Sequence, residues 1–167
     1  MQKHGGAGIR PVVKRAHTLL VGALVILMLM GPGSATLAVA QQSYPANALV
    51  VGNDRGGFIR QRMRELRNIR ASGQPVEIRG QVCYSTCTMY LGLPDTCVSR
   101  ATTFGFHGPS IYGTPMNAAD FERVSRIISN YYPAPLRDWY MSEGRYRING
   151  VHRISASQII NMGVREC

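Results

Sequence analysis

Lysine is missing from the chain beyond Lys14. That absence excludes a catalytic lysine amine from residues 41–167 and leaves arginine as the cation there. The chain also lacks an apolar stretch long enough to cross a bilayer. Its one hydrophobic run, residues 18–30, is about 13 residues, short of the roughly 20 that a spanning helix needs. No internal repeat, low-complexity tract or second domain is visible. No basic cluster is interleaved with stacking aromatics, which argues against a nucleic-acid platform.

The N-terminus carries the marks of an export signal. Residues 1–17 hold Lys3, Arg10, Lys14 and Arg15 and no acid. The apolar run follows, then Gly31-Pro32-Gly33, which would break a helix, and a small-residue stretch ending Ala38-Val39-Ala40. A basic region, an apolar core and an A-x-A site predict a secretory signal peptide over 1–40, cleaved after Ala40. The alternative is an inner-membrane anchor formed by residues 18–30. Either way the chain is exported, to the periplasm or beyond. Residues 41–167 suit one domain with one core.

The formal net charge of +10 falls to about +6 once the four cations of the signal region are set aside. That excess favours contact with anionic surfaces; a solvated, solubilising surface is the simpler reading. All four cysteines, Cys83, Cys87, Cys97 and Cys167, lie in the mature part. In an oxidising compartment an even count predicts disulfides. Three pairings are open, and the short intervening loop favours Cys97 with Cys87 or Cys83. Cys83, Cys87, Cys97 and His107 also have a spacing compatible with a Cys3His zinc site. Free thiolates do not suit that compartment, so no metal and no cofactor are expected.

Periodicity predicts alternating strands and helices. Ala48–Val51 is short, apolar and β-branched, a buried strand, and ends in the turn Gly52–Gly57. Phe58, Ile59, Met63, Leu66 and Ile69 recur at helical spacing, with Arg60, Arg64 and Arg67 on another face. Val76–Arg79 alternates as a strand, Gly80–Ser85 reads as a turn, and Thr86–Leu91 as a buried helix. Ala101–Phe106 is a third strand, ending in His107. Asn117 caps a helix through Ile128. Pro133 and Pro135 interrupt before a helical stretch, Leu136–Met141, and Ser155 caps a last helix, Ala156–Met162. The alternation predicts a single α/β domain, a mostly parallel sheet with flanking helices. Tyr131, Tyr132, Trp139, Tyr140 and Tyr146 read as core and as a surface for self-association.

Three turns follow the three predicted strands, and each holds a residue type that acyl transfer requires. Gly56-Gly57 before a helix exposes backbone N–H groups able to bind an oxyanion. Ser85 at a strand-to-helix turn presents its hydroxyl beside the N–H of Thr86. His107 at the end of an apolar strand is placed to take a proton from Ser85. Each alone has a plain structural explanation: a tight turn, a helix cap, a half-buried histidine.

In order and spacing, Asn53-x-x-Gly56-Gly57, then Ser85, then Phe106-His107-x-Pro109 resembles the Clp-type serine peptidases of the ClpP/crotonase fold. That family carries N-S-P-G-G, A-S-M and H-Q-P turns in the same order. The segment Ser155-Ala156-Ser157-Gln158-Ile159-Ile160-Asn161-Met162-Gly163-Val164 resembles its C-terminal helix, so the likeness spans most of residues 48–164. The segment Cys83-Tyr84-Ser85-Thr86-Cys87-Thr88 followed by Gly105-Phe106-His107 is also similar to a group of small exported proteins. The resemblance implies a ClpP-like domain with Ser85 as nucleophile and His107 as base. Gly56, Gly57 and Thr86 would form the oxyanion hole, and the strand after the first helix would border a peptide groove. A peptide or protein substrate and a homo-oligomer are further implications. The chain departs from the family in one important respect. The triad aspartate should fall near 149–151, where this chain has Asn149-Gly150-Val151. Asn149 is the substitute that position offers, with Asp138 as a more distant acid. Relatives that use a Ser–Lys dyad are excluded by the missing lysine.

Overall fold

The computed structural model describes residues 47–167. The predicted signal peptide over 1–40, its alternative role as an anchor, and the leader 41–46 lie outside the described residues. No helix among the described residues is long and apolar enough to cross a membrane.

The chain runs β1 (Leu49–Val51), α1 (Ile59–Ser72), β2 (Val76–Ile78), β3 (Val82–Tyr84), a 3-10 helix (Ser85–Gly92), β4 (Thr96–Val98) and β5 (Thr103–Phe106). It continues through the hairpin strands β6 (Ser110–Ile111) and β7 (Thr114–Pro115), α2 (Ala118–Ser129), α3 (Ala134–Ser142), β8 (His152–Ser155), α4 (Ala156–Asn161) and β9 (Arg165–Glu166). The result is a mixed α/β architecture. One sheet is wholly parallel, in the order β1-β2-β4-β9. A second has the order β3-β5-β8, with β3 and β5 parallel and β8 antiparallel to β5.

The two sheets are joined by the same three stretches of chain. Beyond β1 the chain reaches Asp54, which bridges in parallel to Cys83 at the edge of the second sheet. The Asp54 N–H donates to the Val82 carbonyl at 3.1 Å and the Tyr84 N–H to the Asp54 carbonyl at 2.8 Å. Beyond β2 the chain becomes β3, and beyond β4 it becomes β5. The left-to-right order β1-β2-β4 is thus repeated as Asp54-β3-β5. The first two stretches cross closely where they leave the first sheet: a Cβ on Gly80 would lie 2.3 Å from the Gly52 carbonyl carbon and oxygen. Only glycine allows backbones to pass that near.

Local chemistry explains the helices. Leu66 and Ile69 of α1 are buried, and Gly73 ends it in the left-handed conformation, its N–H bonded to the Ile69 carbonyl. Asn117 caps α2 by accepting the Asp120 N–H at 2.9 Å. Ser155 and Gln158 form a capping box on α4. Pro133 and Pro135, read from the sequence as an interruption, begin α3 instead: proline suits a first turn, whose N–H groups have no intrahelical acceptor. The core gathers Leu66, Ile78, Met89, Phe104, Leu136 and Ile159, all fully buried.

Three expectations change. Residues 101–106 do not join the strands of 48–51 and 76–79; the third strand of that sheet is β4, and 103–106 belongs to the second sheet. Gly80–Ser85 is not all turn, because Val82–Tyr84 forms β3. No strand was expected at 152–155, where β8 lies. These strands are three or four residues long, too short for a period of two to show in composition. The cysteine pairing also differs from the favoured one. Cys83 pairs with Cys87, and Cys97 with Cys167. Cys97 sits in β4 beside Arg165 of β9, which carries the C-terminal Cys167 to it. No cysteine is left as a thiol, so the Cys3His arrangement does not form. Two disulfides fit an oxidising, exported environment.

The two crosslinks should contribute unequally, because loop closure restricts the unfolded chain more when the loop is long. The separations of 4 and 70 residues predict losses of about 2 and about 4 kcal/mol on the chain-entropy model. Denaturant unfolding of Cys83→Ser/Cys87→Ser and Cys97→Ser/Cys167→Ser double variants should show the larger loss in the second.

Candidate active site

The carboxyl ends of the three continued strands lie side by side, and each delivers one turn of the site. After Asp54 come Gly56 and Gly57, leading into α1. After β3 comes Ser85, opening the 3-10 helix. After β5 comes His107. The structure therefore brings Gly56, Gly57, Ser85, Thr86 and His107 together.

Ser85 has φ +57°, a left-handed backbone that costs a non-glycine residue about 1–2 kcal/mol. Tyr84 before it is extended, so the chain turns sharply from strand to helix at this residue. The Cys83–Cys87 disulfide brackets the turn. Thr88 Oγ1 donates to the Ser85 carbonyl at 2.7 Å and lies 2.7 Å from the Tyr132 hydroxyl in the buried layer beneath. Gly56, at φ +95°, packs directly on this turn. A Cβ there would lie 2.4 Å from Ser85 Cβ, 2.8 Å from Ser85 Oγ and 3.0 Å from the Thr86 nitrogen. Thr86 Oγ1 reaches the Gly57 carbonyl at 3.5 Å.

His107 Nε2 lies 2.8 Å from Ser85 Oγ, and its Nδ1 lies 2.7 Å from the carbonyl oxygen of Gly108. A carbonyl only accepts, so Nδ1 carries the proton and donates it there. In the neutral ring Nε2 is then the acceptor, facing the Ser85 hydroxyl. Tyr140 donates to the His107 carbonyl at 3.3 Å. The orienting group is thus the main chain of the next residue. Asn149 is exposed in the loop before β8, where its carbonyl accepts Arg147 Nε at 2.9 Å; it is not among the hydrogen-bond partners of His107. Asp138 stands on α3 with its side chain 77% exposed, 3.6 Å from Arg137.

The Gly56 N–H donates to Asp54 Oδ1 at 2.7 Å. Asp54 is in turn ion-paired to Arg62, which also binds Glu65 at 2.9 Å and the Tyr90 hydroxyl, and lies over the Tyr90 ring. Tyr90 donates to Glu65. This network ties the glycine turn to α1 and to the 3-10 helix. Thr86 lies in the first turn of its helix, where N–H groups lack an intrahelical acceptor. Its N–H and that of Gly57 have no hydrogen-bond partner among the described residues. Arg55 lies exposed over the Tyr84 ring at 5.6 Å.

A groove of about 900 Å³ opens from Ser85 and His107. Met63, Met89, Val124, Ile127 and Ile128 give it an apolar wall, and the β6–β7 hairpin carries Tyr112 to its rim. The strand after α1, expected to border such a groove, is β2. It is buried between β1 and β4 and does not line this groove. The sequence reading also missed Asp54, Arg62 and the Gly108 carbonyl. Asp54-Arg55-Gly56 has the two-residue spacing of an Asx-turn, which was a usable signal. The main-chain acceptor left no trace in residue type.

No protein-family model matches the chain, and no curated protein matches it.

Two predictions follow from the site. Glycine tolerates the left-handed backbone of Ser85, so Ser85→Gly should be more stable than Ser85→Ala by about 1 kcal/mol, read by thermal or denaturant unfolding. Burial, then the bond to Glu65, raises the Tyr90 phenol well above its ordinary range; burial first also raises Tyr132 and Tyr140. A raised folded value means their contribution is complete below the unfolded tyrosine value of about 10 and is lost as pH climbs toward the folded values. Stability should therefore fall steeply above about pH 10. The tyrosinate absorbance of these three residues should appear only with unfolding.

Proposed function

We propose that the chain is an exported serine hydrolase of ClpP/crotonase-like architecture that cleaves acyl bonds through Ser85 and His107. The observation that carries the reading is the Ser85 Oγ to His107 Nε2 contact of 2.8 Å, made by a serine held in a left-handed turn against glycine. A residue so strained at a site of this kind points to a task beyond capping.

In the reaction, His107 Nε2 takes the Ser85 proton as Oγ adds to a substrate carbonyl. The Thr86 N–H meets the oxyanion, with Gly57 as the second donor. The imidazolium then protonates the leaving group, the carbon–heteroatom bond breaks and an acyl-Ser85 ester remains. Water, deprotonated by the same nitrogen, attacks the ester and returns the serine hydroxyl. The Gly108 carbonyl holds the ring but carries no full charge, so it steadies the imidazolium less than a carboxylate would. Replacing the acid of a serine triad by its amide costs on the order of 10⁴-fold; turnover here should be slow on that scale.

A second reading has its own support. The Gly56 N–H is engaged by Asp54 and no carboxylate stands behind His107, which favours a non-catalytic domain that binds a partner with the same turns.

Labelling of the purified protein with a fluorophosphonate separates the two. The hydrolase should label at Ser85, with loss of all signal in Ser85→Ala and a drop of at least a hundredfold in rate in His107→Ala. A folded wild type that resists labelling would leave the binding domain as the better account.

A further inference from the structure

We infer that the groove beside Ser85 takes an anionic amphiphile, with an acyl chain inside and a carboxylate or phosphate head against Arg60 and Arg64. This deepens the proposed function, on which it rests for placing the acyl carbonyl at Ser85.

Met63, Met89, Val124, Ile127 and Ile128 make one wall of the groove methionine and branched aliphatic. At about 900 Å³ it lies at the upper end of the range for drug-sized ligands, more than one side chain requires. Thr88 and Tyr132, two of its polar lining residues, are bonded to one another, so both hydroxyls are engaged within the protein. Its charged lining residues are Arg60, Arg64 and Arg123, and no carboxylate lines it. Arg123 is neutralised by Asp120 at 2.7 Å. Arg60 and Arg64 are exposed, stand four residues apart on one face of α1, and have no carboxylate partner among the described residues.

These arginines do not serve their helix. The first turn of α1 contains no acid and has no side-chain cap. Arg60, in that first turn, opposes the positive end of the helix, and like charges at i,i+4 repel. A negative head group seated there would relieve both. The mouth is completed by two aromatics, Phe58 at 62% and Tyr112 at 89% exposure, in edge contact at 6.1 Å. Exposed aromatics beside arginines suit a boundary between apolar chains and charged heads. A peptide would reward the aromatics and arginines too, but it would leave most of the aliphatic wall without a partner.

Calorimetric titration of the full chain bearing Ser85→Ala tests the inference without turnover. Dodecanoate, kept below its micelle concentration, is compared with dodecyltrimethylammonium, of equal chain length and opposite charge. Dodecanoate should bind at least tenfold more tightly. Arg60→Gln/Arg64→Gln, both exposed changes, should bring it to the level of the cation. Ile127→Trp, filling the half-buried wall, should abolish binding of both, with circular dichroism checking that each variant folds. Equal affinity for the two amphiphiles would overturn the proposal, as would dodecanoate binding that survives Ile127→Trp. Tighter binding of an acidic, leucine-containing heptapeptide than of dodecanoate would overturn it in favour of a peptide. Because the readout is binding, it can succeed where fluorophosphonate labelling fails, and the reverse; the two proposals fall separately.

Discussion

Ser85 can keep its left-handed backbone because Gly56 has no Cβ. The two residues touch where any side chain on Gly56 would strike the serine hydroxyl, and the arrangement of the site follows from that contact. With φ positive, the serine leaves its strand and begins a helix in a single residue. Its hydroxyl is turned toward His107 and its neighbour's N–H is presented beside it. The disulfide around the turn, and the bond from Thr88 to the Ser85 carbonyl, oppose relaxation to an ordinary backbone.

That contact is possible only because three stretches of chain keep their order while passing from one sheet to the other. Each leaves the parallel sheet, crosses, and ends at the same edge of the second. The close passage of Gly80 over Gly52 sets how near the first two stretches lie. The ends are then spaced as neighbouring strands are, which is the distance a serine, a histidine and a donor turn need. Apolar packing beneath them, by Met89, Phe104 and Leu136, supplies a rigid base.

The charges around the site have a consistent arrangement. The acids near it, Asp54 and Glu65, are bound by Arg62 and turned away from the groove. Of the cations that line the groove, Arg123 is paired with Asp120, and Arg60 and Arg64 have no such partner among the described residues. Behind His107, where a serine triad would place a carboxylate, there is a main-chain carbonyl. The ring is therefore oriented by geometry more than by charge, which allows the proton transfer but stabilises its product weakly.

What could be read from the residues was whatever chain-local chemistry expresses. Apolar spacing marked α1, cap residues marked α2 and α4, and the order of Gly56, Ser85 and His107 marked the three turns. The mixed α/β class followed from the alternation. Short strands such as β3, β4, β8 and β9 escaped, because two to four residues carry too little pattern and their pairing is decided by neighbours far along the chain. The cysteine pairing escaped for the same reason: nothing near Cys97 tells that β9 brings Cys167 beside it. Residue types nominated the serine and the histidine. Their distance, the left-handed turn, the engagement of the Gly56 N–H by Asp54 and the carbonyl that orients the ring were set only by tertiary structure, since backbone groups are the same in every residue and only the fold decides where they point.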